Sequence, residues 1–223
     1  MTSTPLMPPQ LFSLADDLIG TARAMSAAGL NKGTAGNLSV RATFEERNGF
    51  LITPTGMDYA TLTASDIVFM DLNGATLGQR KPSSEWRMHL DLYRARPDFG
   101  AVLHAHSPFA TSLACLREDI PPFHYMIARF GGSTLRCAPY ALFGSQALSD
   151  AALAAMQDRS ACLLGNHGML VGAPTLKKAL DQGIELETLC EHWWRTRQLG
   201  TPVLLTDAQM SEVMTAFADY GKQ

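Results

Sequence analysis

Gly100-Ala-Val-Leu-His-Ala-His106 is a short apolar run that ends on two imidazoles, and it reads as a buried strand. Helical patterns stand on either side of it. One helix is expected to start near Ser83 and Ser84, with Glu85 inside its first turn, and to run to about Arg96. Residues 108–116 read as a second, short helix. A strand held between helices points to an α/β arrangement, and the rest of the chain repeats the mixture. Leu11, Leu14, Leu18, Ala22 and Met25 recur at helical spacing, and that helix should stop at Gly29. Residues 37–41, 49–53 and 67–71 follow as apolar or alternating segments, with the turn signal Asn73-Gly74 after the last. Downstream, 133–137 reads as a strand and 145–156 as a helix, while 161–165 and 169–171 are strand pieces flanking Asn166-His167-Gly168. Leu176, Ala179, Leu180, Gly183, Leu186 and Cys190 give a long amphipathic helix to about Arg197, and a last helix covers 207–220. Strands that arrive both as neighbours and separated by helices predict an α/β sandwich with a mixed sheet. No repeat, low-complexity segment or linker interrupts the chain, so residues 1–223 are expected to form a single domain.

Composition narrows the function classes. Apolar residues make up 46% and charged residues 17%, a globular balance that excludes a disordered chain. The net charge is −3 and no Lys/Arg run occurs, so neither nucleic acid nor an anionic membrane surface is expected as a partner. No apolar run is long enough to span a bilayer. The first residues carry Pro5, Pro8 and Pro9 without the basic and apolar regions of a signal peptide. Cys115, Cys137, Cys162 and Cys190 form no C-x-x-C pair and read as reduced structural thiols. A cytoplasmic location follows as the expectation.

Four groups of residues carry the chemistry. In a strand, residues two apart face the same way, so His104 and His106 project from one side and offer half a site for zinc or a related ion. A hydrogen-bonded histidine pair explains H-x-H equally. His167 lies between two strongly apolar pieces, where an unpaired imidazole is costly, and Gly168 lets the backbone turn sharply or approach another group closely. Joined to the H-x-H pair, it supplies a third nitrogen ligand. Pro82-Ser83-Ser84-Glu85 is either a helix cap with a dipole-favoured acid, or a phosphate-binding helix start with Glu85 as metal ligand or proton carrier. Gly33-Thr-Ala-Gly-Asn37 and Thr53-Pro-Thr-Gly56 are polar, glycine-containing loops able to present amides to an anion, or simple turns. His89, His124 and His192 read as structural or surface residues. No glycine-rich dinucleotide fingerprint follows a strand, which excludes a dehydrogenase of that type.

Taken in order, Gly33-Thr-Ala-Gly-Asn-Leu-Ser39, Thr53-Pro-Thr-Gly56, Pro82-Ser-Ser-Glu-Trp86, His104-Ala-His106, His124-Tyr-Met-Ile127 and His167-Gly168 resemble the class II aldolase/adducin family, and its fuculose-like branch most closely. The resemblance spans nearly the whole chain. It implies a three-layer α/β/α sandwich around a central, largely antiparallel mixed sheet, assembled as a homotetramer. It also implies a divalent ion, zinc or alternatively manganese or cobalt, on His104, His106 and His167, with Glu85 as metal neighbour and acid/base. Gly36, Asn37, Thr55, Gly56, Ser83 and Ser84 match the family's phosphate site, and Tyr125 matches a tyrosine that reaches in from an adjacent subunit.

The implied reaction is reversible cleavage of a ketose 1-phosphate to dihydroxyacetone phosphate and an aldehyde. Salvage aldolases for 5-deoxy or methylthio pentulose phosphates, pentulose-phosphate epimerases, keto-acid phosphate decarboxylases and non-catalytic adducin heads share the family. Two departures stand out. Asn166 occupies a place where family members often carry histidine, and the tail after Tyr220 is short. That tail helps close the site in the family, so Tyr220 is the residue expected to contribute there.

Overall fold

The computed structural model describes residues 6–219. After helix α1 (Phe12–Ala27) come strands β1 (Asn37–Phe44), β2 (Arg47–Ile52), β3 (Val68–Asp71) and β4 (Thr76–Leu77). Helix α2 (Trp86–Ala95), strand β5 (Ala101–Ala105) and helix α3 (Pro108–Ala114) form the middle of the chain. Strand β6 (Cys137–Ala138), helix α4 (Gln146–Ala155), strands β7 (Ala161–Leu164) and β8 (Gly168–Ala173), and helices α5 (Leu176–Leu199) and α6 (Asp207–Asp219) complete it. The strands make one sheet in the order β4-β3-β2-β1-β5-β8-β7-β6. Every pairing is antiparallel except β6 with β7.

Side-chain alternation sorts the sheet into two faces. Leu103, Leu163 and Val171 pack with Leu18 and Met25 of α1, Leu113 of α3 and Leu186 of α5. Their neighbours Val102, Leu164 and Leu170 pack with Leu90 and Tyr93 of α2 and Leu148 of α4. Helices therefore cover both faces, as the three-layer expectation requires. The central strands are apolar on both sides for the same reason.

Several boundaries move. Helix α2 begins at Trp86, and Glu85 sits just before it with φ −102° and ψ 17°, because the Trp86 amide turns back to the Ser83 carbonyl at 3.1 Å. The expected strand at 133–137 is only Cys137–Ala138, with Leu135 instead bridged to Ile120. Strand β5 stops at Ala105, leaving His106 just past its end. Tyr220 lies outside the described residues. Gly29 takes a positive φ of 78° after α1, so that stop signal holds. Among the described residues all four cysteines are free, and no helix is long and apolar enough to cross a membrane.

Candidate metal centre

Strand β5 lies at the middle of the sheet, with His104 opposite Asn37 of β1 and Leu170 of β8. The His104 side chain is fully buried, and its Nδ1 donates to the Met169 carbonyl at 2.8 Å. In the neutral ring that bond leaves Nε2 with a free lone pair. His106 follows the strand end and keeps the same side, its amide donating to Asn31 Oδ1 at 3.3 Å. His167 stands in the tight connection between β7 and β8. Asn166, not Gly168, supplies the left-handed residue there, with φ 54°. Gly168 is needed for close approach instead: a Cβ on it would lie 2.4 Å from the Ala105 carbonyl oxygen and 3.0 Å from His106 Cδ2. The backbone thus brings His167 against the H-x-H pair.

The three rings sit edge to face, with centroids 4.7–4.9 Å apart. Glu85 closes the group: Oε2 is 3.2 Å from His104 Nε2 and Oε1 is 3.2 Å from His167 Nε2. One ligand atom from each of the four residues lies within 4.8 Å of the others. Asn37 Nδ2 donates to Glu85 Oε2 at 2.9 Å, which fixes the carboxylate from the strand side.

Electrostatics suits a cation. Burial first, and then the neighbouring His104, push His106 and His167 down to about 4, so both imidazoles are neutral near pH 7. Burial alone would raise Glu85. His104, His167 and the Asn37 bond outweigh it and hold the carboxyl well below the usual range. Glu85 Oε1 is buried and has no hydrogen-bond donor. A carboxylate with an undonated oxygen, facing the neutral rings of His106 and His167 and the Nε2 of His104, is a donor set that fits a divalent ion.

The cluster opens into a cleft of about 350 Å³. Gly36, Asn37, Thr55, Gly56, Ser83 and Ser84 all line it, together with Glu85, His106 and His167. Backbone bonds join the loops of that wall: Ser83 N donates to Thr53 O at 3.0 Å and Thr55 N to Lys81 O at 3.2 Å. The turn at Gly36, with φ 82°, runs so close to His104 that a Cβ would lie 2.7 Å from its carbonyl oxygen. Tyr59 Oη donates to the Gly36 carbonyl at 2.9 Å and pins the turn.

Tyr125 is not part of this cleft. It is half exposed, stacks on His124, and lines a separate groove with Met126, Arg129 and Phe217. The sequence reading missed Tyr140, Ala141 and Phe143, which form the apolar end of the cleft from a loop without periodicity. It also missed Glu187 of α5, which receives hydrogen bonds from Ser107 Oγ (2.6 Å) and the amides of Phe109 and Ala110 (both 2.8 Å) immediately after His106. His89, read as structural or surface, is completely buried behind Asn37.

Comparison with known proteins agrees with this geometry. The profile of the Class II Aldolase and Adducin N-terminal domain matches residues 16–194. A 5-methylthioribulose-1-phosphate/5-deoxyribulose-1-phosphate aldolase of Rhodospirillum rubrum is 50% identical over 96% of each chain. The L-fuculose phosphate aldolase of Escherichia coli K12 is 44% identical over 93% of this chain and 95% of its own. A solved structure of an L-fuculose 1-phosphate aldolase superposes with a TM-score of 0.87 at 41% identity, covering 96% of this chain and 98% of that one. With the family's fold and a cluster of three histidines and a glutamate able to bind a divalent ion, the chain is a lyase of the class II aldolase and adducin family.

Proposed function

We propose that the protein is a divalent-metal-dependent aldolase that reversibly cleaves a ketose 1-phosphate to dihydroxyacetone phosphate and a small aldehyde. One observation carries this reading: three imidazoles and a carboxylate open onto a cleft whose facing wall is built of hydroxyls and turn amides. Gly36, Asn37, Thr55, Gly56, Ser83 and Ser84 bind the phosphate. No lysine or arginine is among the described residues lining the cleft, so the phosphate is held by neutral donors. His104, His106, His167 and Glu85 hold the ion, and the nitrogen-rich set favours zinc, with manganese or cobalt as substitutes. When bound, the ion supplies Lewis acidity against the negative charge that develops on the substrate oxygens.

Glu85, ionised in the free site, takes up a proton from solvent and delivers it to the carbon freed as the carbon–carbon bond breaks, and removes it in the reverse direction. Tyr125 of the partner subunit exchanges a proton with the oxygen of the departing aldehyde. The half-exposed position of Tyr125 outside its own cleft supports a site completed across a homotetramer interface. One continuous sheet through the described residues supports a single working domain, and four free cysteines support a reducing, cytoplasmic setting.

L-Fuculose 1-phosphate is the first substrate to test, since the chain carries the doubled serine and the His124-Tyr125 segment of the fuculose-like branch. A 5-deoxypentulose 1-phosphate is the second. The 50% identical relative and the apolar Tyr140, Ala141 and Phe143 end of the cleft support it, because its aldehyde carries no further hydroxyl. The test is release of dihydroxyacetone phosphate from each sugar by the zinc- or manganese-loaded protein. Release that chelation abolishes, and that Glu85→Gln lowers by a factor of roughly 10²–10⁴, supports the reading. A metal-loaded protein that releases it from neither sugar refutes it.

A further inference from the structure

Helix α2 and strand β1 meet through a row of polar side chains inside an otherwise apolar layer. Glu85, His89 and Tyr93 recur every four residues, and Asn37 and Ser39 are two apart on the strand. Four helical residues advance about 6 Å and two strand residues about 6.7 Å, so the two sets interdigitate. Tyr93 Oη lies 2.9 Å from Ser39 Oγ, and Ser39 Oγ 2.6 Å from His89 Nδ1. His89 Nε2 lies 2.5 Å from Asn37 Oδ1, and Asn37 Nδ2 2.9 Å from Glu85 Oε2. Ser39 and His89 are fully buried and Asn37 is 3% exposed.

The direction of this chain is determined from one end. An ionised carboxylate only accepts, so Asn37 must turn its amide nitrogen toward Glu85 and its oxygen toward His89. His89 Nε2 must then carry the hydrogen. A neutral ring leaves Nδ1 as acceptor, so Ser39 donates to it and in turn accepts from Tyr93. Complete burial pushes the His89 imidazole down to about 3, in keeping with a neutral ring. Without the Nε2 hydrogen the Asn37 oxygen would lose its donor, and the amide would be held from the carboxylate side alone.

We propose that His89 is a positioning residue: as the Nε2–H tautomer it locks the Asn37 amide, and through it the orientation of Glu85. This rests on the reading of Glu85 as the proton carrier. The lock uses Oε2 and leaves Oε1 as the carboxylate oxygen without a donor. A row of buried polar groups costs stability relative to apolar packing unless every member is paired, and here each pairs with the next.

The experiment has two arms. Metal-free protein labelled with [15N]histidine is examined by long-range 1H–15N correlation, with His89→Gln used to assign the ring. The Nε2–H pattern is expected, and the Nδ1–H pattern overturns the proposal. In the metal-loaded enzyme, His89→Leu is expected to lower kcat by roughly 10–100-fold with KM little changed, while His89→Gln, which can still offer an N–H to Asn37, restores most of it. Ser39→Ala, which leaves no large cavity, shows the same kcat effect on a smaller scale should the leucine variant not fold. Wild-type kcat in the leucine variant, or equal losses in the leucine and glutamine variants, overturns the lock. Absence of aldolase activity in the wild-type enzyme is a failure of the proposed function alone, because the tautomer is read without substrate or metal.

Discussion

Removing the Glu187 carboxylate should loosen the segment that carries His106. Helix α3 starts two residues after His106, and its Ser107 N-cap makes no side-chain cap bond of its own. Glu187, from a helix about 80 positions later, takes that role through Ser107 Oγ and the amides of Phe109 and Ala110. A hydrogen bond to a charged group contributes about 1.5–3 kcal/mol net, but three on one carboxylate are not additive and water can replace part of them in Glu187→Ala. A loss of about 3 kcal/mol is therefore expected, above the roughly 0.5–2 kcal/mol of an ordinary helix cap because three donors lose one charged acceptor at once. For a chain of this size each kcal/mol moves Tm by about 2–4 °C, so the shift should be about 6–12 °C downward. Thermal unfolding followed by circular dichroism, at fixed protein concentration and scan rate, reads it directly. Glu187→Gln keeps an acceptor and should recover more than half of the shift. Competition with a chelator should also show weaker metal retention in Glu187→Ala, by up to about tenfold, since an outer support of a ligand has been removed. A Tm within about 2 °C of wild type would refute the reasoning.

Gly168→Ala should cost about 1–3 kcal/mol and weaken metal retention, because its Cβ would meet the Ala105 carbonyl oxygen at 2.4 Å; unchanged urea unfolding and metal content would contradict this. Tyr125→Phe should lower kcat while leaving the assembly intact, as read by initial rates alongside light scattering; full activity would remove the tyrosine from the reaction. Burial first, with Glu85 adding to it and a Thr53 hydrogen bond opposing, pushes the Tyr59 phenol up to about 12. The neutral form is favoured in the folded state, so its contribution to stability is complete below the ordinary phenol value of about 10 and is lost as pH rises through about 12. Tm measured from pH 9 upward should thus fall less steeply in Tyr59→Phe than in wild type, and parallel curves would count against it.

The parts of the site legible in the sequence are those where one periodicity dominates. His104 and His106 announce a shared face because strand residues alternate, and the structure brings the two rings within 4.8 Å of each other. The elements α1, β5 and α5 follow their apolar spacing to within a few residues. Strand β6 was displaced because a two-residue strand is defined by its partner β7, not by any pattern of its own. Tyr140 and Phe143 lie on an irregular loop, and nothing local states which way such a loop faces. Glu187 was invisible for another reason: its spacing marks an ordinary helix, while the segment it caps lies far away in the chain. His89 could have been found, since it stands one helical repeat after Glu85, yet only the pairing with Asn37 and Ser39 gives that spacing a purpose.

The central position of β5 also governs when the site can come into being. His104 pairs with Asn37 on one side, and on the other its ring bonds a carbonyl 65 positions away. Neither neighbour is local: the chain must close β5 against β8 before His167 meets the other two imidazoles, and β5 against β1 to bring Asn37 alongside, and pairings of this kind make folding slow. The four candidate ligands span residues 85–167, so no short local segment contains them all. An ion added during refolding therefore meets a complete site only after that part of the sheet has zipped, and the moment of tight binding timestamps the closure of β5 against β8.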